Sequence, residues 1–153
     1  MTDGKKFNIV LVTPEIPQNT GAIARLCGAT DTVLHLVHPL GFSTDNKHLK
    51  RAGLDYWKFV DIRHWDSLDV FLAAHAADAL YFFTTKTHRS YVEARYQPGD
   101  FLLFGRESRG LPAPLLQKNE SRCFTLPMSN PNIRSLNLAM AAGIVLYEAL
   151  RRK

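Results

Sequence analysis

The stretch Leu126-Pro127-Met128-Ser129-Asn130-Pro131-Asn132-Ile133-Arg134-Ser135-Leu136-Asn137 runs directly into Leu138-Ala139-Met140-Ala141-Ala142-Gly143-Ile144-Val145-Leu146-Tyr147-Glu148. The apolar run ending at Leu126 reads as a strand. The proline- and asparagine-rich crossing breaks regular structure, and a long helix follows. Ala139, Ala142 and Gly143 give that helix a smooth face, while Ile144, Val145, Leu146 and Tyr147 spread around it. A helix apolar nearly all round is either central to a core or shared with a second subunit. Ser135 stands where a helix N-cap is expected; Asn137 has less structural reason to be there.

Working back from this segment, the same order of strand, loop and helix repeats. Strands are expected over 7–13, 33–38, 57–60, 79–84, 100–104 and 122–126, all apolar on both faces as in a buried parallel sheet. Helices are expected over 21–29, 47–52, 67–76, 113–117 and 137–152. The alternation predicts one three-layer α/β domain over 1–153, with no repeat, linker or low-complexity tract. Pro, Gly and Asn concentrate in three loops that follow strands: 14–21, 105–112 and 127–137. Ligands of open α/β sheets bind beyond the carboxyl ends of strands, so the three loops point to one shared site.

In the first loop, Pro14-Glu15-Ile16-Pro17-Gln18-Asn19-Thr20-Gly21, either Asn19 or Thr20 can cap the helix that carries Arg25. Taken alone, Arg25 reads as a surface ion pair. The turn lacks GxGxxG, which counts against a nicotinamide enzyme. The second loop, Gly105-Arg106-Glu107-Ser108-Arg109-Gly110-Leu111-Pro112, has glycines at both ends, which would allow close approach to a ligand or positive φ. Glu107 could pair with Arg109 or Arg25.

The bulk numbers agree with a single globular chain: 153 residues, 46% hydrophobic, 22% charged, formal charge +5. The basic balance suits a polyanion such as RNA without proving one. No apolar stretch approaches the roughly 20 residues of a membrane span, and no signal region precedes the first strand, so a soluble cytoplasmic protein is expected. Cys27 and Cys123 lie far apart and outside metal-ligand spacing, so neither a disulfide nor a metal site is expected.

These residues carry a resemblance along essentially the whole chain. Pro14-Glu15-Ile16-Pro17-x-Asn19-Thr20-Gly21 with Arg25-Leu26-Cys27, Arg51-Ala52-Gly53-Leu54-Asp55-Tyr56-Trp57, Thr84-Thr85-Lys86, Phe104-Gly105-x-Glu107-x-x-Gly110-Leu111-Pro112, and Leu126-Pro127-Met128 with Arg134-Ser135-Leu136-Asn137-Leu138 occur in order. Together they resemble the SPOUT methyltransferases, and within them the minimal enzymes that methylate the ribose 2′-hydroxyl of the tRNA wobble cytidine or uridine. Ala22, Ala24 and Ala139 depart from residues frequent in close relatives.

The resemblance implies a deep C-terminal trefoil knot, against the general bias of protein chains. It implies S-adenosylmethionine as cofactor, with S-adenosylhomocysteine as product, held by Phe83, Thr84, Gly105, Glu107, Leu126, Met128, Ser135 and Asn137. Arg25 corresponds to the family's catalytic arginine, with Asn19 beside it holding Arg25 or the ribose. The implied partners are a tRNA anticodon stem-loop and a second copy of the chain, docked through the C-terminal helix and knot. Lys47, Lys50, Arg51, Arg109 and Arg134 are candidates for phosphate contacts. The alternatives are the same chemistry on ribosomal RNA and a catalytically silent RNA-binding factor.

Overall fold

The computed structural model describes residues 4–45, 47–49, 51 and 55–152. Six parallel strands form one sheet: β1 (Asn8–Val12), β2 (Val33–Val37), β3 (Ile62–Trp65), β4 (Leu80–Phe83), β5 (Phe101–Phe104) and β6 (Cys123–Phe124), in the spatial order β3-β2-β1-β5-β4-β6. The helical segments are α1 (Pro17–Thr30), α2 (Lys47–Leu49), α3 (Asp55–Trp57), α4 (Leu68–Ala74), α5 (Ala113–Lys118) and α6 (Leu138–Arg151). Lys50 and Ala52 of the expected second helix lie outside the described residues, as do Gly53 and Leu54.

Successive side chains of the inner strands enter opposite cores, which explains why those strands are largely apolar on both faces. Ile9, Leu11, Leu34, Leu36, Leu102 and Phe104 pack against Ile23, Ala24 and Cys27 of α1 and Ala142, Val145, Leu146 and Ala149 of α6. Val10, Val12, Val37, Phe82 and Leu103 meet Phe71 of α4 and Leu115 and Leu116 of α5. The expected three-layer parallel fold is thus present.

Three local expectations differ. The apolar run at 57–60 is not a strand: α3 and a following turn occupy it, with hydrogen bonds from Phe59 N to the Tyr56 carbonyl (2.9 Å) and from Val60 N to the Trp57 carbonyl (3.1 Å). The strand is instead Ile62-Arg63-His64-Trp65, polar because it forms an edge that pairs only with β2. Neither Asn19 nor Thr20 caps α1, which begins at Pro17; proline suits the first turn because its missing N–H has no helical partner to lose. Ser135 is not the cap of α6 either. Asn137 is, its side-chain oxygen accepting from Met140 N at 3.1 Å.

Candidate active site

The loops after β1, β4, β5 and β6 enclose a cavity of about 870 Å³ at the carboxyl ends of the strands. Phe83, Thr84, Gly105, Glu107, Leu126, Met128, Ser135, Asn137 and Asn19 all line it. Arg25 does not. It lies exposed on α1, and its guanidinium sits 4.9 Å from the centre of the Tyr56 ring. No carboxylate pairs with it among the described residues, so the surface ion pair expected from the residues alone is replaced by an aromatic contact.

The loops are clasped by reciprocal carboxylates. Glu107 Oε1 accepts from Glu15 N at 2.8 Å, and its Oε2 accepts from Ile16 N at 3.0 Å and Asn19 Nδ2 at 3.1 Å. In return Glu15 Oε1 accepts from Ser108 N at 2.9 Å. Hydrogen bonding by Ser108, opposed by desolvation and aided by the charges of Arg106 and Arg109, holds the Glu15 carboxyl below its ordinary range. Asn19, only 7% exposed, extends the clasp, because its Oδ1 accepts from Asn137 Nδ2 at 3.1 Å. One chain of hydrogen bonds therefore runs from the second loop through the first to the start of α6. Asn137 has two structural duties, cap and tie, and Asn19 reaches Asn137 and Glu107 rather than Arg25. Glu107 pairs with backbone and amide groups instead of Arg109.

Gly105 and Gly110 serve the loop's own closure. A Cβ on Gly105 would overlap the backbone of Gly110 and Leu111, and Gly110 takes φ +69°. Gly110 N donates to the Arg106 carbonyl at 2.8 Å, folding 106–110 into a tight turn. Strain also collects where the first loop starts, since β-branched Thr13 holds φ 49°.

Phe83 and Phe104 stack with centroids 5.0 Å apart, and Leu111, Leu126, Met128 and Leu138 complete an apolar wall. Lys86, Arg106, Arg109 and Arg134 add cations to the lining. A volume within the roughly 300–1,000 Å³ of small-molecule sites, with an apolar slot and convergent donors, suits a flat heterocycle joined to an anionic group. Neither cysteine contributes a nucleophile: burial pushes the Cys27 thiol up to about 12, and Cys123 is raised by the same cause. Among the described residues no cluster of three or more metal-ligating side chains occurs, and no helix is long and apolar enough to cross a membrane.

Sequence reasoning missed Glu15, Tyr56 and Arg106. Glu15 had a signal in its place between two prolines, but its bond to Ser108 spans 93 positions of chain.

The model of the SpoU rRNA methylase family matches residues 6–147. The chain belongs to the SpoU rRNA methylase family. A Geobacillus stearothermophilus protein provisionally assigned as a tRNA (cytidine(34)-2′-O)-methyltransferase is 50% identical over 150 residues, covering 96% of this chain and 95% of that protein. The tRNA (cytidine(34)-2′-O)-methyltransferase of Burkholderia ambifaria is 45% identical over 150 residues, covering 95% of each. A solved structure that concerns 2′-hydroxyl methylation of C/U34 on tRNA superposes with a TM-score of 0.91 at 46% identity, covering 97% of this chain and 96% of that one. The SpoU family chain therefore has the SPOUT fold expected from its motifs.

Proposed function

We propose that this SpoU family chain, with residues 1–153 as one SPOUT domain, is a cytoplasmic tRNA methyltransferase. It would use S-adenosylmethionine to methylate the ribose 2′-hydroxyl of the wobble nucleotide, a cytidine or modified uridine, within the anticodon stem-loop. The observation that carries this reading is the end-to-end match, at 45% identity across 95% of both chains, to the Burkholderia ambifaria tRNA (cytidine(34)-2′-O)-methyltransferase.

When bound, S-adenosylmethionine supplies a methyl group made electrophilic by its sulfonium. Phe83, Leu126 and Met128 would hold the heterocycle in the apolar slot, with Thr84 and Ser135 at its polar edges. Glu107, Asn19 and Asn137, bonded between loops, and Gly105, which lets the second loop close on itself, would keep the loops in place around it. Methyl transfer is an in-line displacement, so alignment of donor and acceptor supplies much of the rate. Arg25, with five donors and a permanent charge, would orient the 2′-hydroxyl and stabilise negative charge developing on its oxygen. Arg109 and Arg134 at the cavity, with exposed Lys47 and Arg51, would meet RNA phosphates.

Two finer statements belong to the same reading. The chain leaves β6 beside β4, yet α6 packs back on α1 and β5, so the crossing passes the loops at the sheet end and is read as the threading of the trefoil knot. A homodimer is supported by an apolar stripe on α6: Met140, Ile144 and Tyr147 recur at helical spacing and are 65%, 42% and 57% exposed. Because Arg25 does not line its own chain's cavity, the second copy would present its Arg25 there. Met140→Asp should give monomers by light scattering. Mixing Arg25→Ala with a cavity-blocked Met128→Glu protein should restore turnover that neither has alone.

The function is tested with labelled S-adenosylmethionine and tRNA from a strain lacking the gene, followed by mass-spectrometric mapping of nuclease digests. Ribose methylation at position 34 is expected. Label confined to ribosomal RNA, or no calorimetric binding of the cofactor, would overturn the reading.

A further inference from the structure

Tyr56 and Trp57, which end one motif stretch, do not line the cavity, yet Tyr56 supplies the described contact of Arg25. A catalytic arginine on a solvent-exposed helix face has several rotatable bonds to order before it can act. A carboxylate could order it, but would take up its donors and offset its charge, the two properties the reaction needs. An aromatic face attracts the same cation through its quadrupole and leaves the in-plane N–H groups free. Tyr56 offers such a face 4.9 Å from the guanidinium carbon while itself 43% exposed.

On the reading that Arg25 acts on the ribose hydroxyl, we propose that Tyr56 is the positioning residue for Arg25, fixing the guanidinium by its ring face so that its hydrogen-bond donors stay available to the RNA. Both residues ride on helical segments that pack together, α1 and α3. The geometry is therefore set by the fold and does not await substrate. The phenol oxygen has no part in this role; the ring does.

The test compares Tyr56→Leu with Tyr56→Phe, neither of which removes a buried side chain. Leucine should lower kcat about tenfold, the scale of a partly desolvated cation–π contact, with cofactor affinity and the KM for tRNA within about twofold. Phenylalanine should restore kcat to near wild type. In an Arg25→Ala background, Tyr56→Leu should cost nothing further. A second readout needs no turnover: the Arg25 Nε–H proton resonance, moved by the ring current of Tyr56, should shift in Tyr56→Leu and stay in Tyr56→Phe. Wild-type kcat in Tyr56→Leu, or a loss that adds to that of Arg25→Ala, would overturn the proposal. A wild-type protein that methylates no tRNA would sink the methyltransferase reading instead, and the resonance would still decide whether Tyr56 orders Arg25.

Discussion

Two regions of this molecule tie polar side chains into networks, and they differ in burial and in what the networks leave over. Beneath α4, His35 is fully buried on β2. Trp65 Nε1 donates to its Nδ1 at 3.0 Å, so its Nε2–H must donate to Asn8 Oδ1, at 2.9 Å. Rings of Trp65, Phe71, His75 and Phe101 enclose it. Every polar atom of the imidazole is used and the ring itself is fully buried. At the loop end, Glu107, Asn19 and Asn137 are equally satisfied, but they do so around an open cavity. The difference teaches that a polar network frames a site where its closure borders an open void, and locks a core together where it is fully buried.

Three experiments would break or sharpen this contrast. The largest effect is expected from Arg25→Ala. Losing one stabiliser of developing charge should cost about 100- to 1,000-fold in kcat, with cofactor affinity unchanged by calorimetry because Arg25 does not line its own chain's cavity and the partner's Arg25 would meet the ribose rather than the cofactor. A weakened cofactor would show that Arg25 holds the cofactor as well.

Next comes the core. Burial, followed by the nearby His75 and Arg63 charges, holds the His35 imidazole down to about 4 from an ordinary 6.5. Protonation would also put a proton on Nδ1, against the Trp65 N–H. A lowered folded pKa means stability is complete above about 6.5 and is lost as pH falls towards 4. The loss amounts to roughly 3 kcal/mol, read from urea midpoints across that window. His35→Leu should remove most of this pH dependence and leave kcat at neutral pH unchanged. Altered kcat would show that the two networks communicate.

The smallest effect should come from Glu107→Gln. One amide oxygen cannot replace a carboxylate that serves three donors, so the clasp loosens and cofactor affinity falls about tenfold. The melting temperature should move by only a few degrees, since the groups freed lie near solvent. A large thermal loss with intact affinity would make Glu107 a core residue like His35.

Much of the architecture was legible in the chain. Two-sided apolar strands such as Asn8–Val12 and Phe101–Phe104 announced a covered parallel sheet, and the three Pro/Gly/Asn loops announced a site at one end of it. Illegible were the places where local pattern and tertiary role diverge. Trp57-Lys58-Phe59-Val60 is as apolar as a strand but turns, because the polar Ile62–Trp65 takes the sheet edge. Ser135 has the better local claim to a cap, yet Asn137 wins because one amide can cap α6 and also tie to Asn19.

By itself, then, the sequence determined the layer order, the three loops and the family, since these rest on periodicity and on motifs readable within a few residues. Only the tertiary structure decided which partners these side chains take. The bonds of Glu107 to Glu15, Asn137 to Asn19 and Arg25 to Tyr56 join positions 31 to 118 residues apart, where no local pattern can specify a partner. It made Glu107 a clasp between loops at the cavity, and it left Arg25 outside the lining of the cavity it is proposed to serve.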